Sequence, residues 1–440
     1  MAQPPTAPPV ISVHAERRAR LAQRMQNGIA VIPTAPERTR NRDSHYPYRY
    51  DSYFYYLTGF IEPAAVLVVI AGAAPRSILF CRDKDKEREI WDGFRYGPQA
   101  ACRVFGMDEC HSIAELDARM PALLADQPQF CCHLGSDEAW DARVLGWLNQ
   151  VRAQVRSGVA APAAITDVRT LLDEMRLIKD GHELATMREA ARISTAAHQR
   201  AMRATAPGRA EFEIEAELLH EFRRGGAQAP AYTSIVAGGA NACVLHYVQN
   251  DAVLKAGDLL LIDAGCELDG YASDITRTFP VSGQFSAPQR DVYELVLAAQ
   301  AAALATVAPG AAWTAPHDAA VRVLAQGFID FGLCQGSVDQ VIENGDYRKY
   351  YMHRTGHWLG LDVHDAGEYK DQGAWRKLEP GMVLTVEPGC YIQAGDGVPA
   401  HFANIGVRIE DDVAVTATGN EVLTAAAPKT VAAIEALMRG

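Results

Sequence analysis

The sequence predicts a two-part protein of mixed helix and strand, α/β or α+β in both parts. Three observations carry this. Strand-like and helical stretches alternate along the chain. At 440 residues it is too long for one ordinary core. Near residue 170 the texture changes from short mixed segments to long helical ones.

The first nine residues hold four prolines and read as a loose arm rather than a leader. An aromatic-rich stretch, YPYRYDSYFYYLTGF (46–60), follows. The apolar run Ala64 to Ala74 (AAVLVVIAGAA) falls short of the roughly 20 residues a bilayer span needs, so it reads as a buried strand. SILFCRD reads as another strand, Ile113–Leu124 as helical, and GVAAPAAITDV (158–168) as a linker or turn region. Met175 to Arg203 carries Leu184, Met187, Ala191, Ala197 and Ala201 at helical spacing and stops at Ala206-Pro207-Gly208. Helices are also expected over Phe212–Phe222 and Ala287–Ala308, the latter opened by Ser286 and Gln289 as a capping box. Between them lie strand-like YTSIVAG, DLLLIDAG, YASDITRTF, MVLTVEPG and VRIEDDVAV.

A net charge of −12 argues against a partner such as nucleic acid or an anionic membrane. Nine cysteines without a CxxC pair, two of them vicinal (Cys131-Cys132), argue against a disulfide framework and for a reducing cytoplasm.

The second part echoes itself. Gly257-Asp-Leu-Leu-Leu-Ile-Asp263-Ala-Gly265 lines up with Gly381-Met-Val-Leu-Thr-Val-Glu387-Pro-Gly389, and each is followed by a strand with a further carboxylate, Asp274 or Glu410. That predicts a pseudo-symmetric domain with one acidic centre. With a two-residue turn in Glu267–Gly270, Asp263 falls opposite or diagonal to Asp274 on the same face. Carboxylates that close repel unless one is protonated or a cation lies between them. Any one of these acids reads as a solvated strand end or a partner of Arg277, Arg354 or Arg408. Four in matched apolar contexts carry −4, a charge two divalent ions would cancel.

His353, His357 and His364 fall in YMHRTGHWLGLDVHDAG. The four-residue spacing of the first two suggests a helical zinc-protease motif, but Arg354 stands where that motif needs Glu, and Gly356 and Gly360 disfavour a helix. A glycine-rich loop or strand presenting several imidazoles is expected instead, with His246 in CVLHYVQN as a further candidate. His14, His111, His133 and His317 read as ordinary surface or core residues. An oxygen-rich set with one nitrogen favours Mn²⁺, or Co²⁺, Zn²⁺ or Fe²⁺, over copper or an iron–sulfur centre. Two such metals clamp a hydroxide and polarise a carbonyl or phosphoryl oxygen. Without a phosphate loop or an arginine cluster, amide hydrolysis is favoured.

IDAGCELDGYASDITRTFP, HRTGHWLGLDVHDAG, LEPGMVLTVEPGCYI and GVRIEDD together resemble the bacterial Xaa-Pro aminopeptidase (aminopeptidase P) family of pita-bread metallopeptidases. YPYRYDSYFYYLTGF and REIWDGFRYG extend the resemblance into the first part. It implies an α+β chain: an amino-terminal α/β domain at 1–173 (lid and oligomer contacts) and a pita-bread dinuclear domain at 174–440. By resemblance Asp274 and Glu410 bridge two metals, Asp263 binds one, and His357 with Glu387 the other. A metal-bridging hydroxide would attack the carbonyl before proline, with Glu387 accepting the proton. His246 and His364 would steady the intermediate or relay a proton to the leaving nitrogen, and His353 with Tyr391 would line the proline pocket. Arg408 would offset acidic charge. By the same resemblance Trp91 is an aromatic reaching the site from the first domain, and Arg156 would reach it from a neighbouring subunit. EYKDQGAWRKLEP is one residue longer than the usual spacing, which puts a substrate-contacting Arg near Arg376 in doubt. The family implies peptide substrates with X-Pro at the amino terminus and a homo-oligomer, tetramer or dimer. A proline dipeptidase on the same fold is the nearest rival. Methionine aminopeptidases usually lack so large a first domain, and metal-free scaffolds generally lose ligands that all stand here.

Overall fold

The computed structural model describes residues 11–135 and 137–440. The expected loose arm at the start lies outside the described residues. The chain divides into two compact units, one ending at Met175 and one running from Arg176 to Gly440, against an expected boundary at 173/174.

A six-stranded mixed sheet organises the first unit, in the order Glu109–Ser112, Arg76–Cys81, Val66–Ala71, Gly28–Pro33, Gln129–Cys132, Ala164–Asp167. Val66–Ala71 lies antiparallel to both neighbours and is buried along its length, hence its unbroken apolar run. Leu116, Met120, Trp147 and Leu148 pack on one face of the sheet. The aromatic stretch forms the helix Ser52–Thr58, capped by the Asp51 carboxylate on the Phe54 N–H and ended by Gly59 in the left-handed region. One expectation is corrected: Ala164–Asp167, within the segment read as a linker, pairs parallel with Gln129–Cys132. Ile165 and Thr166 suit such an edge strand, and tertiary pairing overrides the small residues around them.

The helix expected over Met175–Arg203 is also corrected. It breaks into Arg169–Arg176 and Gly181–Ala204, because Asp180 accepts from the His182 and Glu183 N–H groups and Glu183 reaches back in a capping box. Lys179 instead donates its N–H to the Gly381 carbonyl at 2.9 Å.

The second unit repeats one plan twice: two packed helices, then a β-hairpin. Gly181–Ala204 and Glu211–Arg224 precede the hairpin Leu259–Asp263/Thr276–Pro280; Ala287–Thr306 and Ala315–Asp330 precede Val383–Val386/Asp411–Val415. The halves share hydrogen bonds as well as shape. Gly208 N–H donates to Leu254 O and Gly310 N–H to Leu378 O, both at 2.8 Å. Leu254 N–H returns to Arg209 O and Leu378 N–H to Ala311 O, again both at 2.8 Å. The repeated tripeptides Ala206-Pro207-Gly208 and Ala308-Pro309-Gly310 are the sequence trace of this symmetry.

Candidate metal centre

In the first hairpin Asp263 pairs with Thr276. Hydrogen bonds from Ala264 N–H to Ile275 O and Ser273 N–H to Cys266 O, each 3.0 Å, carry that register to Leu268–Tyr271. The turn between them, Asp269-Gly270, has φ of 47° and 82°, as a type I′ turn requires. Asp274 therefore lies diagonal to Asp263, inside a stretch expected as one strand but interrupted at 273–275. Gly265 makes this possible: a Cβ there would sit 1.6 Å from the Ser273 carbonyl oxygen.

In the second hairpin Val386 faces Asp411 and Gly389 faces Arg408, so Glu387 stands directly opposite Glu410. The expectation from sequence that the second pair repeats the arrangement of the first is therefore corrected: Asp263 and Asp274 are diagonal, Glu387 and Glu410 directly opposite. By register Glu410 corresponds to Thr276, and Asp274 corresponds to Arg408.

His353–His364 is a loop, as its glycines imply, running beside Val383–Val386. Thr385 N–H donates to His357 O at 2.9 Å, Glu387 N–H to Thr355 O at 2.8 Å, and His357 N–H to Thr385 Oγ1 at 3.1 Å. A Cβ on Gly356 would fall 2.1 Å from Thr385 O, so glycine permits the approach. His357 Nδ1 lies 2.9 Å from Trp358 O; donating its proton there leaves the Nε2 lone pair free, 3.4 Å from Asp274 Oδ2 and 3.7 Å from Glu387 Oε1. Asp274, His357 and Glu410 each offer a ligand atom within 4.8 Å of the others.

A cleft of about 690 Å³ collects Asp263, Asp274, His246, His353, His357, His364, Glu387, Arg408 and Glu410 on its walls. His246 and His364 are exposed there, and the His364 ring stands 4.3 Å from that of His357. Tyr391 is buried behind, its hydroxyl 2.8 Å from His353 Nε2 and accepting from Arg408 Nη1 at 3.0 Å. Arg408 is ion-paired with Asp263 at 2.6 Å. Of the other arginines weighed as carboxylate partners, Arg277 pairs with Asp411, outside the four, and Arg354 lines the cleft with its guanidinium over Trp375. Arg376 follows a small hairpin, Lys370–Asp371/Ala374–Trp375, and is half-buried. Trp91 and Arg156 belong to the first unit, where both are exposed. His317, read from sequence as an ordinary residue, has its Nδ1 2.9 Å from Thr355 Oγ1, in the loop that carries His357.

Sequence reasoning passed over Tyr232, whose hydroxyl donates to Asp263 Oδ1 at 2.6 Å and also meets Asp274. It also passed over Thr276, which donates to Glu410 Oε2 at 2.5 Å. A lone Tyr in YTSIVAG and a Thr between charged residues carry no pattern that would single them out.

The electrostatics show what such a cluster needs. Burial pushes the Glu387 carboxyl up to about 7, against the restraining charges of His357 and Arg408. Burial also drives Glu410 well above the carboxylate range, and repulsion from Asp274, Glu387 and Asp263 adds to it. Asp263 is raised by burial despite Arg408. Asp274 is held low: burial opposes its charge, but the hydrogen bond and charge of His357 outweigh it. His357 is raised to about 9, the Asp274 hydrogen bond and the Glu387 and Asp274 charges overcoming burial. Glu387, Glu410 and Asp263 hold protons against their ordinary tendency because burial disfavours their charge and the positive charge beside them does not offset it. Divalent ions would supply that charge, and four carboxylates with the His357 Nε2 are a fitting donor set for them.

Residues 185–417 match the model of metallopeptidase family M24, and residues 14–131 match the aminopeptidase P N-terminal domain. The chain is 46% identical over 425 residues to the Xaa-Pro aminopeptidase of Haemophilus influenzae, covering 96% of each. It is 45% identical over 426 residues to that of Escherichia coli, again covering 96% of each. Its structure is similar to that of Pseudomonas aeruginosa aminopeptidase PepP, with TM-score 0.96 and 50% identity over 100% of this chain and 99% of that one. It is also similar to zinc-substituted E. coli aminopeptidase P in complex with product, with TM-score 0.95 and 44% identity over 98% and 99%. The chain therefore belongs to metallopeptidase family M24, in the aminopeptidase P branch that joins an amino-terminal domain to this catalytic fold.

Proposed function

We infer that this protein is a metal-dependent aminopeptidase that releases the amino-terminal residue from peptides with proline in second position. The observation that carries the reading is the convergence of Asp263, Asp274, His357, Glu387 and Glu410, from separate segments, in one cleft. These five residues would hold two divalent ions; their hard oxygen donors support manganese, with cobalt, zinc or iron as substitutes. When bound, such ions lower the pKa of water and polarise a carbonyl oxygen.

The chain's own residues supply the rest. Glu387, whose carboxyl is already pushed up by burial, accepts the proton of the attacking water. His246 and His364, exposed on the cleft wall, donate to the oxyanion that develops on the carbonyl or to the leaving nitrogen. Burial lowers the His353 imidazole to about 3, and Arg408 adds to this, so it stays neutral beside Tyr391. A neutral wall suits a proline ring. The X–Pro nitrogen has no hydrogen to donate and the ring locks φ, so shape and carbonyl polarisation must replace backbone recognition. Arg408 tempers the acidic cluster through Asp263.

Residence in the cytoplasm is supported by nine free cysteines, seven of them buried. Among the described residues no helix is long and apolar enough to cross a membrane. A homo-oligomer, with Trp91 at a subunit face, is supported by adjacent Ile90 and Trp91, 80% and 84% exposed.

The test is a paired assay on metal-stripped protein reloaded with Mn²⁺, using an X-Pro-Y tripeptide and an X-Pro dipeptide. Release of X from the tripeptide with little from the dipeptide is expected. The reverse pattern makes it a proline dipeptidase, and silence on both with every metal removes the enzyme reading.

A further inference from the structure

We propose that Asp412 is a positioning residue for Asp274, and that its hydrogen bonds to the Asp274 segment set the affinity of the acidic cluster for divalent ions. The inference rests on the metal reading above. Glu410, Asp411 and Asp412 are consecutive and at most 2% exposed, yet they serve different places. Glu410 lines the cleft and Asp411 faces Arg277, while Asp412 leaves its own hairpin and reaches the other one. Its Oδ1 accepts from the Asp274 N–H at 3.1 Å; its Oδ2 accepts from the same N–H at 3.2 Å and from the Ser273 hydroxyl at 2.9 Å.

Those contacts fall where the first hairpin is weakest. Residues 273–275 interrupt the strands on either side, so the direction of the Asp274 side chain depends on what holds its backbone. Tyr232 and His357 engage the Asp274 carboxylate from the cleft side, and Asp412 holds the peptide behind it. Ser273 is fully buried and Asp274 only 4% exposed, so removing Asp412 leaves two buried donors without that acceptor. Thr385, paired with Asp412 across the ladder, works alike on the other side: it accepts from His357 N–H at 3.1 Å and donates to Glu387 Oε1 at 3.3 Å.

The experiment is an Mn²⁺ titration of the metal-stripped full-length protein, with free Mn²⁺ read from its paramagnetic resonance signal. Asp412→Ala is expected to weaken Mn²⁺ binding by about 10- to 100-fold, with turnover recovering when Mn²⁺ is raised to saturation. Asp412→Asn keeps an amide oxygen for the Asp274 N–H and can donate to the Ser273 hydroxyl, so it should stay within about threefold of wild type. Asp412→Glu keeps the charge but displaces the acceptor by a methylene, and should weaken binding about tenfold. It serves as the deciding variant if Asp412→Ala does not fold, with metal-free thermal midpoints as the check. Wild-type affinity in both Asp412→Ala and Asp412→Glu overturns the proposal. Equal weakening in Asp412→Asn and Asp412→Ala also overturns it, because charge rather than hydrogen-bonded position would then matter. A wild-type protein that takes up no Mn²⁺ sinks the metal reading itself, a distinct result.

Discussion

Asp411→Ala strips the buried guanidinium of Arg277 of its carboxylate, and the cost can be worked out contact by contact. Both side chains are fully buried, with Nη2 to Oδ1 at 2.7 Å. Asp411 also accepts from Lys429 Nζ at 2.7 Å, Gln300 Nε2 at 2.9 Å and Thr424 Oγ1 at 2.7 Å. The three lesser partners have alternatives. Lys429 is 24% exposed and can turn to water, Gln300 keeps the Val386 and Ile409 carbonyls, and Thr424 still accepts from Asp412 N–H. Arg277 keeps four carbonyl acceptors, those of Thr276, Glu410, Ala427 and Pro428, but its charge loses the anion it was buried with. Breaking a buried pair this way costs about 3–5 kcal/mol. Asp411→Ala should therefore destabilise the second unit by about 4 kcal/mol, and Lys429→Met by about 1 kcal/mol. Urea unfolding of the metal-free protein measures both, provided the slope with denaturant stays unchanged. The double replacement Arg277→Met with Asp411→Leu should recover most of the loss, since an apolar pair removes the stranded charge. An Asp411→Ala loss below about 1 kcal/mol, or a Lys429→Met loss equal to it, would refute the reasoning.

Three further outcomes follow from the same geometry. Gly265→Ala must push a methyl into the Ser273 carbonyl, so a loss of about 3 kcal/mol or more is expected, read as a fall in thermal midpoint; an unchanged midpoint would mean the two strands are not this close. Burial lowers the His198 imidazole to about 4, so between pH 6.5 and 4 the unfolded chain binds a proton that the folded one refuses. Stability should thus fall by about 3 kcal/mol as pH drops through that window. His198→Gln, which can still donate to the Ala264 carbonyl, should flatten the slope relative to wild type, and parallel slopes would reject the assignment. Glu387→Gln should lower turnover on an X-Pro-Y peptide by about 10²–10⁴, and activity within threefold of wild type would exclude Glu387 as the proton acceptor.

Much of the site was legible because its chemistry repeats. Asp263 and Glu387 stand at matching points of two apolar strands, and a motif read from one strand is strengthened by the other. The glycine-rich histidine loop was legible by exclusion, since glycines and a misplaced arginine ruled out a helix. The pairing of the later acids was not legible. Matching Asp274 with Glu410 follows chain order, whereas register matches Asp274 with Arg408 and Glu410 with Thr276, and register depends on where hairpins turn and strands break. Asp412 itself looked like one acid in an acidic run. Its neighbour Asp411 is held low by Arg277 and Lys429 against burial, while Asp412 is driven well above the carboxylate range by burial and then by Asp274. Nothing local separates them.

The sequence by itself determined the fold class, the two-part organisation, the apolar strands, and which carboxylates and imidazoles would meet. Those properties live in composition, periodicity and repeated motifs, which are written in neighbouring residues. Only the tertiary structure decided that 164–167 is a strand, that the helix expected from Met175 breaks at Asp180, and that Tyr232, Thr276 and Asp412 serve the cluster. Apart from the Asp180 cap, whose partners lie two and three residues on, each depends on a partner between 31 and 138 residues away in the chain, and a hydrogen bond at that range leaves no local periodicity to read.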